Sequence, residues 1–259
     1  MRHPSLTRAS CIALASAIAL QAASRANAQA NAQAAALPDA RAILARYATV
    51  TGAAKMATVP GIHIKGAVEF PGMGLSGTFE GFRDAAGRNV QFLNFPSVGD
   101  FRQGGDTTFA WAIDPMQGPR LVEGKVFTYQ REDEDPRAMR RDPSFVVNAQ
   151  TLERAVADSE PCVKVKLTWK SGRETTECYS ERTGLLLMVD AIEPTQMGDI
   201  PTTKFYREYK TMNGFMFATF VETRAMGQIQ RQRTTDVTFE AIDPAKFAVP
   251  PEIEALRKH

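Results

Sequence analysis

Histidine is scarce in this chain of 259 residues, occurring only as His3, His63 and His259. That spacing excludes an HExxH zinc motif, which needs two histidines one helical turn apart. Cysteine is as rare, and Cys11, Cys162 and Cys178 form no CxxC pair, so a zinc site of the usual His/Cys kind is disfavoured. One internal histidine would still permit a catalytic triad, but His63 falls on the polar phase of a strand-like run and reads as a surface residue. The first 28 residues aside, no segment approaches the roughly 18 apolar residues of a membrane-spanning helix. No basic cluster marks a nucleic-acid face. Three of the 31 basic residues and none of the 29 acidic ones fall in the first 28 positions, so the remainder has a net charge near −1. No cofactor is expected.

Those first 28 residues are the one part with a leader's composition. Arg2 and Arg8 precede the short apolar run CIALASAIAL, and Ala26-Asn27-Ala28 supplies a small-x-small site. This predicts a secretory signal peptide cut near Ala28 and a periplasmic destination. Cys11 stands at the start of the apolar run rather than after it, which argues against lipidation there. Residues 29–37 are Ala/Gln/Asn-rich and read as a disordered lead-in. Residues 38–259 are expected to form a single domain, ample in length for a core.

Within that domain Asp39 opens a short helix with Ala40, Ile43, Leu44 and Tyr47 on one stripe, and Gly52 closes it. Period-two alternation follows. Ile62, Ile64, Val68 and Phe70 face one way, and Val163, Val165, Leu167 and Trp169 repeat the pattern. Further strands are expected at 75–83, 88–95, 98–104, 107–114, 173–180, 185–192, 202–210, 215–225 and 227–240, separated by turns such as DAAG, KSG and ERTG. The charge-rich segment 125–158 reads as partly helical and laid across the sheet. The fold class is therefore mainly β: a long antiparallel sheet that curls into a half-open barrel, with a few covering helices.

Several motifs carry little chemistry. Gly72 to Gly77 matches GxGxxG, but a strand follows where a dinucleotide site needs a helix, so it reads as a hairpin connection. The run 132–135 (EDED) reads as solvated, with no apolar setting to raise a carboxylate pKa. In an unbroken strand over 227–240, Arg231 and Arg233 would share the face of Ile229, Val237 and Phe239, and Arg231 could hold an anionic head group; a bulge would reverse that phase. A two-residue Ser171-Gly172 turn would put Cys178 opposite Val165, on the other face from Cys162. A one-residue bulge would bring the two cysteines diagonally onto one face, so their pairing stays open.

The stretch 110-AWAIDPMQGPR-120 closes a strand. Asp114 caps its own turn and Pro115 has no ladder donor. AIEP at 191–194 and AIDP at 241–244 are expected to end strands in the same way.

The signal peptide, ILARY…TG, Asp106, Trp111, Asp114-Pro115, Cys162 with VKVKLT, 181-ERTGLLL-187 and the closing 242-IDPAKFAVP-250 together resemble the outer-membrane lipoprotein-sorting (LolA-like) family. Gly105 precedes Asp106, where the family places glycine after the aspartate. The resemblance implies a half-open, strongly curved sheet with helices over an apolar cavity. It also implies a non-enzymatic periplasmic carrier of a lipid, a lipidated protein or another apolar ligand, with envelope proteins as further partners. Candidate ligand-binding residues are Phe70, Phe79, Phe92, Trp111, Trp169, Phe217, Met226 and Arg231. The alternative is an envelope interaction module whose curved sheet is filled by its own side chains and whose edge, or segment 125–158, binds a protein.

Overall fold

The computed structural model describes residues 36–195 and 198–258; the segment expected to be a signal peptide and most of the expected lead-in lie outside the described residues. Asp39–His259 forms one compact unit. It opens with helix α1, Ala40–Thr51. The Asp39 carboxylate accepts from the Ala42 amide at 2.9 Å, satisfying a donor that has no partner within the helix. Gly52 closes the helix at φ +71°, where a side chain would be strained.

Thirteen antiparallel strands then make a single sheet. They are β1 (Gly61–Phe70), β2 (Leu75–Asp84), β3 (Asn89–Phe95), β4 (Gly99–Gly105), β5 (Ala110–Asp114), β6 (Gly118–Val122), β7 (Val146–Ala157), β8 (Glu160–Trp169), β9 (Glu174–Ser180), β10 (Leu186–Thr195), β11 (Gly198–Met212), β12 (Phe215–Ala225) and β13 (Gln228–Thr238). Their order is β6-β5-β4-β3-β2-β1-β13-β12-β11-β10-β9-β8-β7. Two meanders therefore join where β1 pairs with β13, and among the described residues β6 and β7 are the outermost strands of the sheet.

The chain leaves β6 at one edge and must reach β7 at the other. It crosses on α2 (Gly124–Glu134) and α3 (Pro136–Met139). This crossing measures the curl. Glu134 accepts a hydrogen bond from Asn89 on β3, while Glu132, two residues earlier, accepts one from Ser171 in the β8–β9 turn. In a flat sheet β3 and β9 would lie roughly 34 Å apart at about 4.8 Å per strand. Two neighbouring residues reach both only because the sheet bends round on itself. The architecture is the expected half-open barrel.

Glycines on the sheet make room for aromatic rings. A Cβ on Gly66 would lie 2.5 Å from the Phe79 ring, one on Gly77 would lie 2.8 Å from Phe95, and one on Gly104 would lie 2.9 Å from Trp111. Apolar packing is divided between faces. Val165, Leu167, Trp169, Tyr179 and Leu186 pack with Leu44 of α1. Val68, Phe79 and Phe95 form a second cluster. Alternation puts Phe82, Phe92 and Trp111 on the opposite face from Phe79. There Trp111 and Phe82 pack with Ile253 of α4 (Pro251–Leu256).

Local expectations divide. The Asp114 carboxylate accepts from the amides of Met116 and Gln117 at 2.9 and 2.8 Å, so the first DP turn is a strand stop. Asp243 instead opens the 3-10 turn Pro244–Phe247, accepting from the Ala245 amide at 2.9 Å; β13 has already ended at Thr238, so the second AIDP closes no strand. Pro194 does not stop β10, which continues to Thr195 with Pro194 opposite Asp199. The GxGxxG stretch is a hairpin connection: the 3-10 turn Pro71–Met73 and Gly74 at φ +64° join β1 to β2.

Segment 125–158 is helical only in its first part, and its last twelve residues are mostly edge strand β7. The register also resolves the cysteines. The Trp169 amide donates to the Arg173 carbonyl, so the β8–β9 loop is 170–172, one residue longer than the two-residue turn. Lys164 therefore sits opposite Cys178, and Cys162 and Cys178 share a face with Cα atoms 5.6 Å apart, joined by a disulfide.

Candidate functional site

The hollow side of the sheet, beneath α2, encloses an open cavity of about 660 Å³. Its floor is built by alternation. Ile62 and Ile64 of β1 lie beside Arg83 and Gly81 of β2, followed by Asn89 and Gln91 of β3. Phe217 of β12 and Val237 of β13 extend the apolar floor, and Glu193-Pro194 of β10 stand on the far wall. The roof is one stripe of α2: Val126, Tyr129, Gln130 and Asp133, at spacings of three, four and seven residues. Val237 reaches the floor because the β1–β13 register shifts between Lys65 and Gly66. Lys65 pairs with Asp236 and Gly66 with Thr234, leaving Thr235 as the extra residue. That bulge reverses the phase of β13, so Arg231 and Arg233 do not share a face with Val237. Arg231 instead forms an ion pair with Glu222 at 3.0 Å, beside Arg224 and Arg207.

The roof is tied down by acids that the sequence reading took to be solvated. Glu132 is buried and accepts from the amide and hydroxyl of Ser171 at 3.1 and 2.8 Å. Asp133 accepts two hydrogen bonds from Arg173, whose guanidinium lies 4.9 Å from the Trp169 ring centroid. Glu134 accepts from Asn89, Gln130 and Arg131 at 2.8, 3.0 and 2.7 Å. Burial raises its pKa, and the hydrogen bonds and nearby arginines offset that only in part. The EDED run is thus a latch between α2 and the sheet. His63 also departs from the surface reading. It is 16% exposed, stacks on Phe82 at 4.3 Å and pairs with Glu80 at 2.7 Å.

A second cavity of about 310 Å³ shares Asp133, Met139 and Glu193 with the first. It is lined by Tyr47, Trp169, Tyr206 and the ion pair of Arg141 with Glu177, held by two hydrogen bonds of 2.9 and 3.0 Å. Burial opposes the Arg141 charge, but the Glu177 carboxylate outweighs it and holds the guanidinium pKa above its ordinary value. Burial pushes the Tyr47, Tyr179 and Tyr206 phenols up. The buried Arg141–Glu177 pair dominates this end of the hollow, beside Leu186 and Val189, and the Nε of Arg173 there is buried without a hydrogen-bond partner.

Of the eight candidates from sequence, Phe217 lines the large cavity and Trp169 the smaller one. Phe79 is buried in the cluster with Val68 and Phe95, and Phe70 packs at its margin. Phe92 and Trp111 lie with the C-terminal segment on the other face. Met226 is 66% exposed in the β12–β13 turn at φ +51°. Sequence reasoning missed Arg83 and the α2 stripe. Ile62 and Ile64 were visible as one strand face, but the stripe on α2 is half polar and carries no apolar helical signature.

A long curved sheet, open between its edges, with a crossover helix roofing a hollow face, is the LolA-like fold. The crystal structure of a DUF1329 family protein from Desulfovibrio piger matches with a TM-score of 0.57 at 12% identity, over 79% of this chain and 96% of that one. That of a LolA superfamily protein from Nitrosomonas europaea matches with a TM-score of 0.54 at 12% identity, over 82% and 99%. At this identity the likeness establishes the fold. No protein-family model matches the chain, and no curated protein matches its sequence.

Proposed function

We propose that this chain is a non-enzymatic periplasmic carrier that holds the apolar part of a lipid or lipidated protein in the hollow between sheet and α2. The observation that carries this reading is the open cavity of about 660 Å³, walled by Ile62, Ile64, Val126, Tyr129, Met139, Phe217 and Val237. Its size falls within the range of roughly 300–1,000 Å³ common to small-molecule sites. Each buried ligand CH₂ would contribute about 0.8 kcal/mol, enough for a single chain to bind firmly. The predicted signal peptide supports an envelope location, and the fold of the Nitrosomonas relative supports a carrier.

Native mass spectrometry of the protein, secreted and purified without detergent, tests this. A stoichiometric adduct of lipid mass that organic extraction removes is the expected result. A clean mass that also takes up no added fatty acid or phospholipid sinks the proposal.

One observation favours a second reading. Edge strand β7 exposes Val147, Leu152 and Val156, at 56, 41 and 68%. Exposed apolar side chains of this kind can seat a protein partner. A substitution pair such as Leu152→Lys with Val156→Lys would abolish partner capture on that reading while leaving a lipid adduct intact.

A further inference from the structure

Around Arg83, where the large cavity meets an adjoining smaller one, the other charges are engaged in pairs. Asp84 pairs with Arg88 at 2.6 Å, Glu134 with Arg131 at 2.7 Å and Asp135 with Arg137 at 2.8 Å. Arg140, which lines an adjoining cavity of about 260 Å³, is taken by Asp142 at 2.9 Å. Each of these four acids has its own arginine. Arg83 is the fifth. Its side chain makes no hydrogen bond or ion pair with any described residue, although the residue is half-buried and lines both cavities beside Ile62. The fields of Glu134 and Asp135 reach it, offset in part by that of Arg131, and burial still holds its pKa below the ordinary arginine value. A partly desolvated guanidinium with its fork of donors unmatched is suited to a planar or tetrahedral anion.

We propose that Arg83 receives the acidic head group, carboxylate or phosphate, of an amphiphile whose chain lies along Ile62, Ile64, Val237 and Phe217. This rests on the carrier reading and adds a head-group class to it. The arginine faces the junction of the two cavities, so the head would sit at the junction and the chain in the larger space. The four neighbouring arginines cannot substitute, because each is already engaged by its own carboxylate.

The experiment compares palmitate with hexadecanol, which has the same chain and no charge, by displacement of Nile red from the secreted protein. It includes the variants Arg83→Gln and Arg83→Lys, with inorganic phosphate in a parallel thermal-shift arm. The wild type is expected to prefer palmitate by at least about ten-fold, the scale of a charge-assisted hydrogen bond. Arg83→Gln should erase that preference by weakening palmitate alone. Arg83→Lys should retain only part of it, since a lysine lacks the fork. Equal wild-type affinities, or a preference that survives Arg83→Gln, would overturn the head-group assignment and leave the carrier reading standing. If neither compound displaces the dye or binds by native mass, the carrier reading fails and takes this inference with it. A phosphate response lost in Arg83→Gln, without any palmitate preference, assigns the site to a free anion and overturns the amphiphile.

Discussion

At the scale of single residues, charges decide more than their sequence context suggests. Asp142 lies in a charge-rich stretch, yet its carboxylate accepts from the hydroxyl and amide of Ser144 at 2.7 and 2.9 Å and from Arg140. Those bonds, the Ser144 hydroxyl foremost, lower its pKa to about 2. A depressed carboxylate stabilises the fold fully above its unfolded pKa of about 3.9 and loses that contribution as pH falls towards 2. Asp142→Asn should therefore lower the urea midpoint at pH 7 and flatten its decline between pH 4 and 2. Parallel wild-type and variant curves over that window would show that the bonds to Ser144 do not favour the charged form. The Asp-Pro-Ser sequence at 142–144 makes this turn readable in advance. The pairing of Arg141 with Glu177 was not readable. It joins residues 36 apart, with Arg141 at φ +56° directing its guanidinium inward, and nothing local in either residue names the other. The same holds for Arg83, whose significance lies in lacking a partner that only the folded chain could have supplied.

At the scale of elements, alternation and turns were legible and edges were not. Strands such as β1 and β8, buried on one face, announce themselves through Ile62, Ile64 and Val163, Val165, Leu167. Strand β6 contains Pro119, which only an edge tolerates, and so it looks like a loop. In β7, Ala149, Leu152 and Ala155 recur at three-residue spacing with polar residues between them, which imitates a helix. An edge strand has one partner, so the period-two signal is weak there. The hairpin at 170–172 shows how one residue in a loop reverses a strand's facing: the longer loop is what brings Cys178 onto the face of Cys162. Curvature has its own marker in Gly66. A methyl group there would meet the Arg233 carbonyl oxygen and the Phe79 ring, and Phe79 sits directly across from Gly66 in the β1–β2 pairing. Gly66→Ala is expected to destabilise the fold by about 1–3 kcal/mol, the usual cost of overpacking. It should appear as a lower urea midpoint with an unchanged slope. An unaltered midpoint would mean that the ring and strand β13 yield freely, and that close packing over Gly66 does not set the bend.

At the scale of the molecule, the route of the chain and the position of the cavity are one fact. Because β6 and β7 lie at opposite edges, the connection must cross the sheet. A crossing on the hollow side becomes a roof held by Glu132, Asp133 and Glu134. The apolar faces of the strands could be read from sequence, but which face is hollow and which is covered could not, since core and cavity walls share a composition. The two tryptophans show the difference. Trp169 lines the smaller cavity adjoining the large one, whereas Trp111 packs with Ile253 on the other face. A ligand entering beneath α2 at a hundred times its dissociation constant should add about 2.7 kcal/mol of stability. For a domain of this size that raises the melting temperature by roughly 5–11 °C. It should also change the emission of one tryptophan only. Trp111→Phe is expected to keep the ligand-induced fluorescence change and Trp169→Phe to lose it, with both variants keeping the thermal shift. The reverse result would place the ligand beneath the C-terminal segment. A thermal shift with no change in either tryptophan would confine it to the end of the cavity near Arg83, away from the Trp169 wall.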